Sequence, residues 1–121
     1  MVRMFKPQFA TLVEAGTKRQ TIRPVPKRTP KAGDIESWRE WTGAPYRSKT
    51  RELAVVKLVS VYPVTVGWET MDIDGRTLTL GEEKALAERD GFKSPTEMRH
   101  WFKMIHGLPF TGILIRAEDH R

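Results

Sequence analysis

The segment from Pro7 to Arg23 constrains the fold most, because it joins a short helix to an extended stretch through one glycine. Residues 7–15 carry apolar side chains at the i, i+3 and i+4 spacing of an amphipathic helix, with proline at the first position. Gly16 fits the left-handed residue that commonly ends such a helix. The residues after Gly16 are therefore expected to leave the helix in a fixed direction, as a strand.

This strand alternates cations and a hydroxyl with other side chains. Because alternate residues of a strand share a face, Arg19, Thr21 and Arg23 are expected to face the same way. Gln20 and Ile22 then take the other face, so that Ile22 can enter the core. The first face can line a polar or anionic ligand, but a solvated basic strand has the same pattern.

The formal net charge of +6 is concentrated in the first part of the chain. Residues 1–51 contain 12 Lys or Arg against 4 Asp or Glu, whereas residues 52–121 contain 9 against 11. Such an asymmetry favours nucleic acid or a phosphorylated ligand as the partner. An acidic membrane is disfavoured, because no basic amphipathic helix accompanies the charge.

Cations and aromatic side chains follow the motif. Three prolines stiffen residues 24–33, so this stretch is either a semi-rigid arch that presents Lys27, Arg28 and Lys31 to phosphates or a plain polar connection. Trp38 and Trp41 come next, beside an arginine. Aromatic residues placed in this way can stack on single-stranded bases, but tryptophan also fills the cores of small barrels.

Further strands are predicted along the chain. One covers Asp34–Trp38 with Ile35 pointing inward, and a long, central one covers Glu52–Val61 until Pro63 ends or bulges it. Asp74-Gly75 predicts a hairpin turn. A closing strand is expected over residues 110–116.

Two helices are predicted in the second half of the chain. The first spans Gly81–Asp90, with Ala85 and Leu86 inward and Gly91 as its stop. The second begins at the capping sequence Ser94-Pro95-Thr96-Glu97. Its apolar face is expected in the core and consists of Met98, Trp101, Phe102 and Ile105.

The length and composition exclude several classes of protein. At 121 residues the chain can form one hydrophobic core, and with no cysteine it has neither disulfides nor thiolate metal sites. His100 and His106 lack a same-face metal spacing, so no metal or other cofactor is expected. No apolar run approaches the ~20 residues that span a bilayer. We expect a cytoplasmic protein without a membrane partner, either a monomer or a weak dimer.

The run Gly16-Thr17-Lys18-Arg19-Gln20-Thr21-Ile22-Arg23 resembles the G-x-K-x-x-T-I-R signature of the ASCH domain, a branch of the PUA-like superfamily. Other features of that family recur in order: Phe5 and Phe9, Gly33-Asp34, Asp90-Gly91-Phe92, Trp101-Phe102 and Phe110-Thr111-Gly112. The resemblance covers nearly the whole chain. It implies a single ASCH domain over residues 1–121, of the α+β class, built as a small mixed PUA-like β-barrel with about three short helices covering its ends.

The resemblance and the charge map together suggest that RNA or a modified nucleoside or nucleotide binds in a basic cleft. Phosphates would contact the cations Arg19, Arg23, Lys27, Arg28 and Lys31, and a base would stack on Trp38 or Trp41. The cleft is expected between the motif strand and the helical insert, where Lys18, Thr21, Arg23 and Asp90 could converge.

An alternative function is also implied by the resemblance. One bacterial branch of the family hydrolyses N4-acetylcytidine with a motif lysine and threonine and a carboxylate from the later helical segment, which match Lys18, Thr21 and Asp90. This chain departs from that branch because Asp90 stands where those enzymes carry glutamate, and the shorter side chain could fall short. A ribonuclease is a third interpretation and a purely structural module is a fourth.

Overall fold

The computed structural model describes residues 1–120 and contains three helices and a seven-stranded sheet in that range. In chain order the elements are β1 (Val2–Met4), α1 (Pro7–Ala15), β2 (Gln20–Pro24), β3 (Ile35–Trp41), β4 (Thr50–Val66), β5 (Met71–Ile73), β6 (Arg76–Thr77), α2 (Leu80–Arg89), α3 (Pro95–Ile105) and β7 (Phe110–Asp119). The predicted α+β class with three short helices is confirmed.

Strand β4 is the centre of the sheet, as predicted. It pairs antiparallel with β3 and β5 along one edge and with β7 along the other. Outside these, β1 lies parallel to β3, and β2 lies antiparallel to β7. Pro63 does not end β4, because it stays in register with Ile113 and its carbonyl accepts a hydrogen bond from the Asp74 backbone. The bulge against β7 falls earlier, between Leu58 and Ser60.

The sheet does not close into the predicted barrel. Within residues 1–120, β1 pairs only with β3 and β2 pairs only with β7, so these two strands leave a gap between them. A side chain bridges this gap, since the guanidinium of Arg23 donates to the Met4 carbonyl at 2.7 Å. Strand β1 has only three residues, which leaves little backbone with which to close a barrel.

The inward face of β3 carries the opposite set of alternate residues from the set that was predicted. Trp38 is fully buried, and because alternate residues share a face, Glu36 is buried with it while Ile35 is exposed. Glu36 accepts two hydrogen bonds from Arg3, at 2.7 and 2.6 Å, and one from the Trp38 indole at 3.0 Å. Burial alone would raise the pKa of Glu36, but these hydrogen bonds outweigh burial and the pKa is lowered.

The helices begin and end close to the predicted positions. Helix α1 ends at Gly16 in the left-handed conformation, and the Ser94 hydroxyl caps α3 by accepting from the Glu97 backbone. In α2 the inward residues are Glu83, Leu86 and Ala87, whereas Ala85 is exposed. The predicted hairpin at Asp74-Gly75 is confirmed by the pairing of β5 with β6. Within residues 1–120, no helix is both long and apolar enough to cross a membrane.

The junction between α2 and α3 packs against α1 at a glycine. Gly91 has a φ of +98°, and a Cβ added there would lie 2.9 Å from Leu12 Cδ1 and 3.2 Å from Phe9 Cδ1. Both the left-handed backbone and the close approach therefore require glycine. The end of α2 thus reaches the residues that follow α1.

Alanine substitution separates these two requirements. Gly107 follows α3 as Gly91 follows α2, and its φ is +82°, but a Cβ there meets nothing within 4 Å. We expect Gly107→Ala to lower the free energy of unfolding by about 1–2 kcal/mol through backbone strain alone. Gly91→Ala should cost about 1–3 kcal/mol more, because its Cβ also overpacks against Leu12 and Phe9. Urea denaturation measures both, and equal losses would contradict the steric role of Gly91.

Candidate functional site

A cavity of about 170 Å³ lies between β2 and the helical segments. Its polar floor is formed by Lys18, Thr21, Arg23 and Asp90, which come from two segments about seventy residues apart in the chain. The sequence analysis expected these four side chains to converge in a cleft between the motif strand and the helical insert. The structure brings all four to the wall of one cavity.

Lys18 and Asp90 form a buried ion pair in this floor. Their side chains are only 3% and 6% exposed, and Lys18 Nζ lies 3.3 Å from Asp90 Oδ1. Nζ also donates to the Asp90 backbone carbonyl at 2.6 Å and lies 4.9 Å from the centre of the Phe9 ring. Burial lowers the pKa of Lys18 below its usual value, Asp90 opposes this effect, and the nearby Arg23 adds to it.

The shorter side chain of Asp90 reaches Lys18 because the backbone itself comes close. Asp90 is the C-terminal capping residue of α2, and its carbonyl is already within hydrogen-bond distance of Nζ. Gly91 also lies beside Lys18, since a Cβ at that position would be 3.6 Å from Lys18 Cδ, an ordinary van der Waals contact. The one-methylene difference from glutamate therefore does not separate the carboxylate from the lysine.

Gln20 is part of the floor network, and the sequence analysis did not assign it a role. Its Nε2 donates to Asp90 Oδ1 at 3.1 Å and to the Leu86 carbonyl at 3.2 Å. The residue is 2% exposed, and its Oε1 has no hydrogen-bond partner among the described residues. A signal was present in the sequence, because Gln20 shares the inward face of β2 with Ile22 and a buried amide needs a partner.

Thr21 and Arg23 lie side by side on the other face of β2. Arg23 Nε donates to Thr21 Oγ1 at 2.9 Å, and the guanidinium carbon lies 4.8 Å from the centre of the Phe5 ring. Burial is the main cause that lowers the pKa of Arg23 to about 10, and repulsion from Arg3 adds to it. No hydrogen bond joins Thr21 to Lys18 within residues 1–120, so the threonine hydroxyl remains able to donate to a ligand.

Aromatic rings form the walls of the cavity. Phe5, Phe9 and Trp101 line it, and the rings of Phe9 and Trp101 meet edge to face at 5.5 Å. Trp101, expected in the core, is only partly buried, whereas its neighbour Phe102 is fully buried. His106 also lines the cavity. Its pKa is lowered mainly by burial, and repulsion from Lys6 lowers it further. A polar floor between aromatic walls suits a small flat ligand with polar edges.

Arg19 does not join this site. It precedes β2, so the alternation that places Thr21 and Arg23 on one face does not extend to it. Its guanidinium donates to the Val13 carbonyl at 2.6 Å and forms an ion pair with Asp119 at 2.7 Å. The expectation that Arg19 shares a face with the other two residues is therefore corrected.

The three cations of the proline-rich stretch lie outside the cavity. Lys27, Arg28 and Lys31 are exposed, and their side chains form no ion pair within residues 1–120. The stretch begins at Pro24, which lines the cavity. These cations are thus free to contact an anion in solvent.

The two candidate stacking tryptophans differ in environment. Trp38 is fully buried, with its ring 4.9 Å from that of Phe5, and so it cannot stack on a base in this conformation. Its burial follows from the register of β3, which turns Trp38 to the core. Trp41 is partly exposed and contacts the exposed Tyr46, with ring centres 5.1 Å apart. Neither residue lines the cavity.

The part of the chain that the structure describes contains no group of three or more His, Asp or Glu side chains placed to hold a metal ion. Comparison of the chain with protein-family models, with curated proteins and with solved structures finds no match. The geometry of the cavity is thus the basis for any functional proposal.

A double-substitution cycle tests the energetics of the Lys18–Asp90 pair. Removing one partner leaves the other charge buried, so Lys18→Met and Asp90→Asn should each lower the free energy of unfolding, by about 3–5 kcal/mol for a fully buried pair. The double variant should recover most of this loss, because no buried charge is left without a partner. Urea denaturation at pH 7 measures all four proteins. Additive losses would show that the two side chains do not interact.

Proposed function

We propose that the chain is an ASCH-type domain with a PUA-like fold whose cavity binds a nucleoside unit, either free or within RNA. The observation that supports this proposal is the convergence of Lys18, Thr21, Arg23 and Asp90 at the floor of an aromatic-walled cavity. Lys18, Thr21 and Arg23 are the charged and hydroxyl positions of the G-x-K-x-x-T-I-R signature that the chain resembles.

The buried charges favour a functional over a structural role. A buried ion pair contributes little to stability, because desolvation of both ions offsets their attraction. Lys18 and Asp90 are nevertheless buried next to a cavity, and the partly buried Arg23 lies beside them. Charged groups kept in such a place are suited to recognise the polar edge of a ligand.

The proposed ligand fits the arrangement of groups around the cavity. The flat face of a base would lie against the rings of Phe9 and Trp101, and its polar edge would face Lys18 and Thr21. If the nucleoside belongs to a strand of RNA, the neighbouring phosphates would contact the exposed cations Lys27, Arg28 and Lys31. Stacking by Trp38 is no longer part of this proposal, because Trp38 is buried.

Calorimetric titration with cytidine and N4-acetylcytidine tests binding in the cavity. Wild type and the surface variant Lys84→Met are expected to bind one nucleoside per chain. The folded double variant Lys18→Met/Asp90→Asn is expected to lose this binding, since it keeps the shape of the floor but not the charges of the buried pair. Binding by the double variant with unchanged affinity would place the ligand elsewhere.

The salt dependence of RNA binding tests the role of the exposed cations. Removing three phosphate contacts with Lys27→Ala/Arg28→Ala/Lys31→Ala should reduce the slope of log affinity against log salt by roughly 2 units for single-stranded RNA. The triple variant Lys57→Ala/Lys84→Ala/Lys93→Ala removes the same charge from other exposed lysines and should change the slope much less. Equal effects of the two triples would indicate attraction by net charge alone.

A second candidate function is hydrolysis of the acyl group of N4-acetylcytidine-like nucleosides. It is supported by the hydrogen bond from Arg23 to Thr21 Oγ1 and by the lowered pKa of Lys18. The Thr21 oxygen would bond to the acyl carbon and give its proton to neutral Lys18, which would pass it to the departing exocyclic amine as the carbon–nitrogen bond breaks. Water would then hydrolyse the threonyl ester. Arg23 would stabilise charge on the threonine oxygen, and Asp90 would orient Lys18.

Release of acetate from N4-acetylcytidine distinguishes hydrolysis from binding. In this mechanism the rate rises with pH through the lowered pKa of Lys18, because only the neutral amine accepts a proton. Thr21→Val should abolish acetate release while the nucleoside still binds, because the substitution removes only the hydroxyl. Acetate release by Thr21→Val at the wild-type rate would exclude Thr21 as the nucleophile. No release by a wild-type protein that binds the nucleoside would leave binding alone.

A further inference from the structure

A second depression, of about 250 Å³, lies beside the start of β2 and is separate from the cavity described above. It is lined by Thr17, Arg19, Gln20, Arg89, Arg116 and Ala117. The three arginines come from the turn before β2, the end of α2 and the middle of β7. The fold therefore gathers three guanidinium groups from distant parts of the sequence around one concave surface.

The positive charge of this depression is only partly neutralised. Asp119 forms an ion pair with Arg19. Within residues 1–120, Arg89 and Arg116 form no ion pair, and Arg116 Nε is buried without a hydrogen-bond partner. A buried donor that loses its water costs free energy unless a partner replaces the water. Arg116 therefore keeps an unused hydrogen-bond donor next to the depression.

Electrostatic repulsion is also built into the depression. Burial is the main cause that lowers the pKa of Arg116, and repulsion from the neighbouring Arg89 lowers it further. Tyr62 opposes the effect. Two like charges near each other destabilise the protein when it is empty, and a bound anion would relieve that repulsion. Arg89 has a second role as the basic residue of the last turn of α2, where a cation is favourable.

We propose that Arg19, Arg89 and Arg116 form a binding site for a phosphate monoester. Once Asp119 has neutralised one arginine, the remaining charge of two matches the charge of about −1.5 to −2 that a phosphate monoester carries near pH 7. The planar fork of a guanidinium pairs with phosphate oxygens through two parallel hydrogen bonds. A phosphodiester carries a single negative charge and matches the site less well.

This site goes beyond the proposed nucleoside cavity and does not depend on it. Gln20 lies between the two, since it lines the arginine depression while its Nε2 donates to Asp90 in the floor of the cavity. Arg89 and Arg116 do not line the cavity, and Lys18 and Asp90 do not line the depression, so the two sites can be removed separately by substitution.

Titration of the protein with inorganic phosphate, at constant ionic strength in chloride, tests the proposal. Wild type should bind phosphate, and Arg89→Gln should weaken that binding about tenfold or more. Arg47→Gln removes the same charge from an exposed position outside the depression and should bind like wild type. Arg89 is exposed, so Arg89→Gln is expected to fold, and its melting temperature without phosphate should be equal to or above that of wild type.

Several results would overturn the site. These are no phosphate binding by wild type, equal loss of affinity in Arg89→Gln and Arg47→Gln, or phosphate binding no tighter than that of chloride. The variant Lys18→Met/Asp90→Asn distinguishes this proposal from the nucleoside cavity. It should bind inorganic phosphate like wild type, whatever its affinity for cytidine, and loss of phosphate binding in that variant would place the anion in the cavity instead.

Discussion

The contact between Lys18 and the end of α2 is the interaction on which the rest of the site depends. A lysine with its amine almost fully buried needs partners for its charge, and Asp90 supplies both a carboxylate and a backbone carbonyl. The approach is possible because Gly91 has no side chain to collide with Leu12 and Phe9. Gln20 completes the network by donating to the same carboxylate. The chain thus fixes a charged group at the floor of a cavity, where its pKa responds to burial and to its neighbours.

Strand β2 distributes polar chemistry to its two sides. Thr21 and Arg23 face the aromatic-walled cavity, whereas Gln20 and the preceding Arg19 border the arginine depression. The same segment also holds the structure together, since β2 pairs with β7 and Arg23 bridges to β1 through the Met4 carbonyl. A single short strand therefore contributes to the fold and to both candidate sites. This explains why its sequence contains so few simple apolar residues.

Much of this arrangement could be predicted from local sequence patterns. Gly16 after an amphipathic run, the capping sequence at Ser94 and the Asp74-Gly75 turn depend on short-range chemistry, and the structure places all three as expected. The register of β3 could not be predicted, because Ile35 and Trp38 cannot both point inward and the burial of Glu36 depends on Arg3, a residue of another strand. The convergence of Lys18 with Asp90 was expected from the resemblance. Whether the sheet closes into a barrel could not be predicted, because closure depends on whether distant edge strands meet.

The most direct test is to follow the NMR signal of the Lys18 Nζ group while N4-acetylcytidine is added. This signal is assigned by its absence from the spectrum of Lys18→Met. The account predicts a saturable shift of this signal, larger than that of any exposed lysine such as Lys84, because the ligand would alter the surroundings of a charge confined to the cavity floor. A Lys18 signal that does not move while the nucleoside is bound would contradict the claim that this buried pair forms a ligand site. Failure of the nucleoside to bind at all would contradict the same claim.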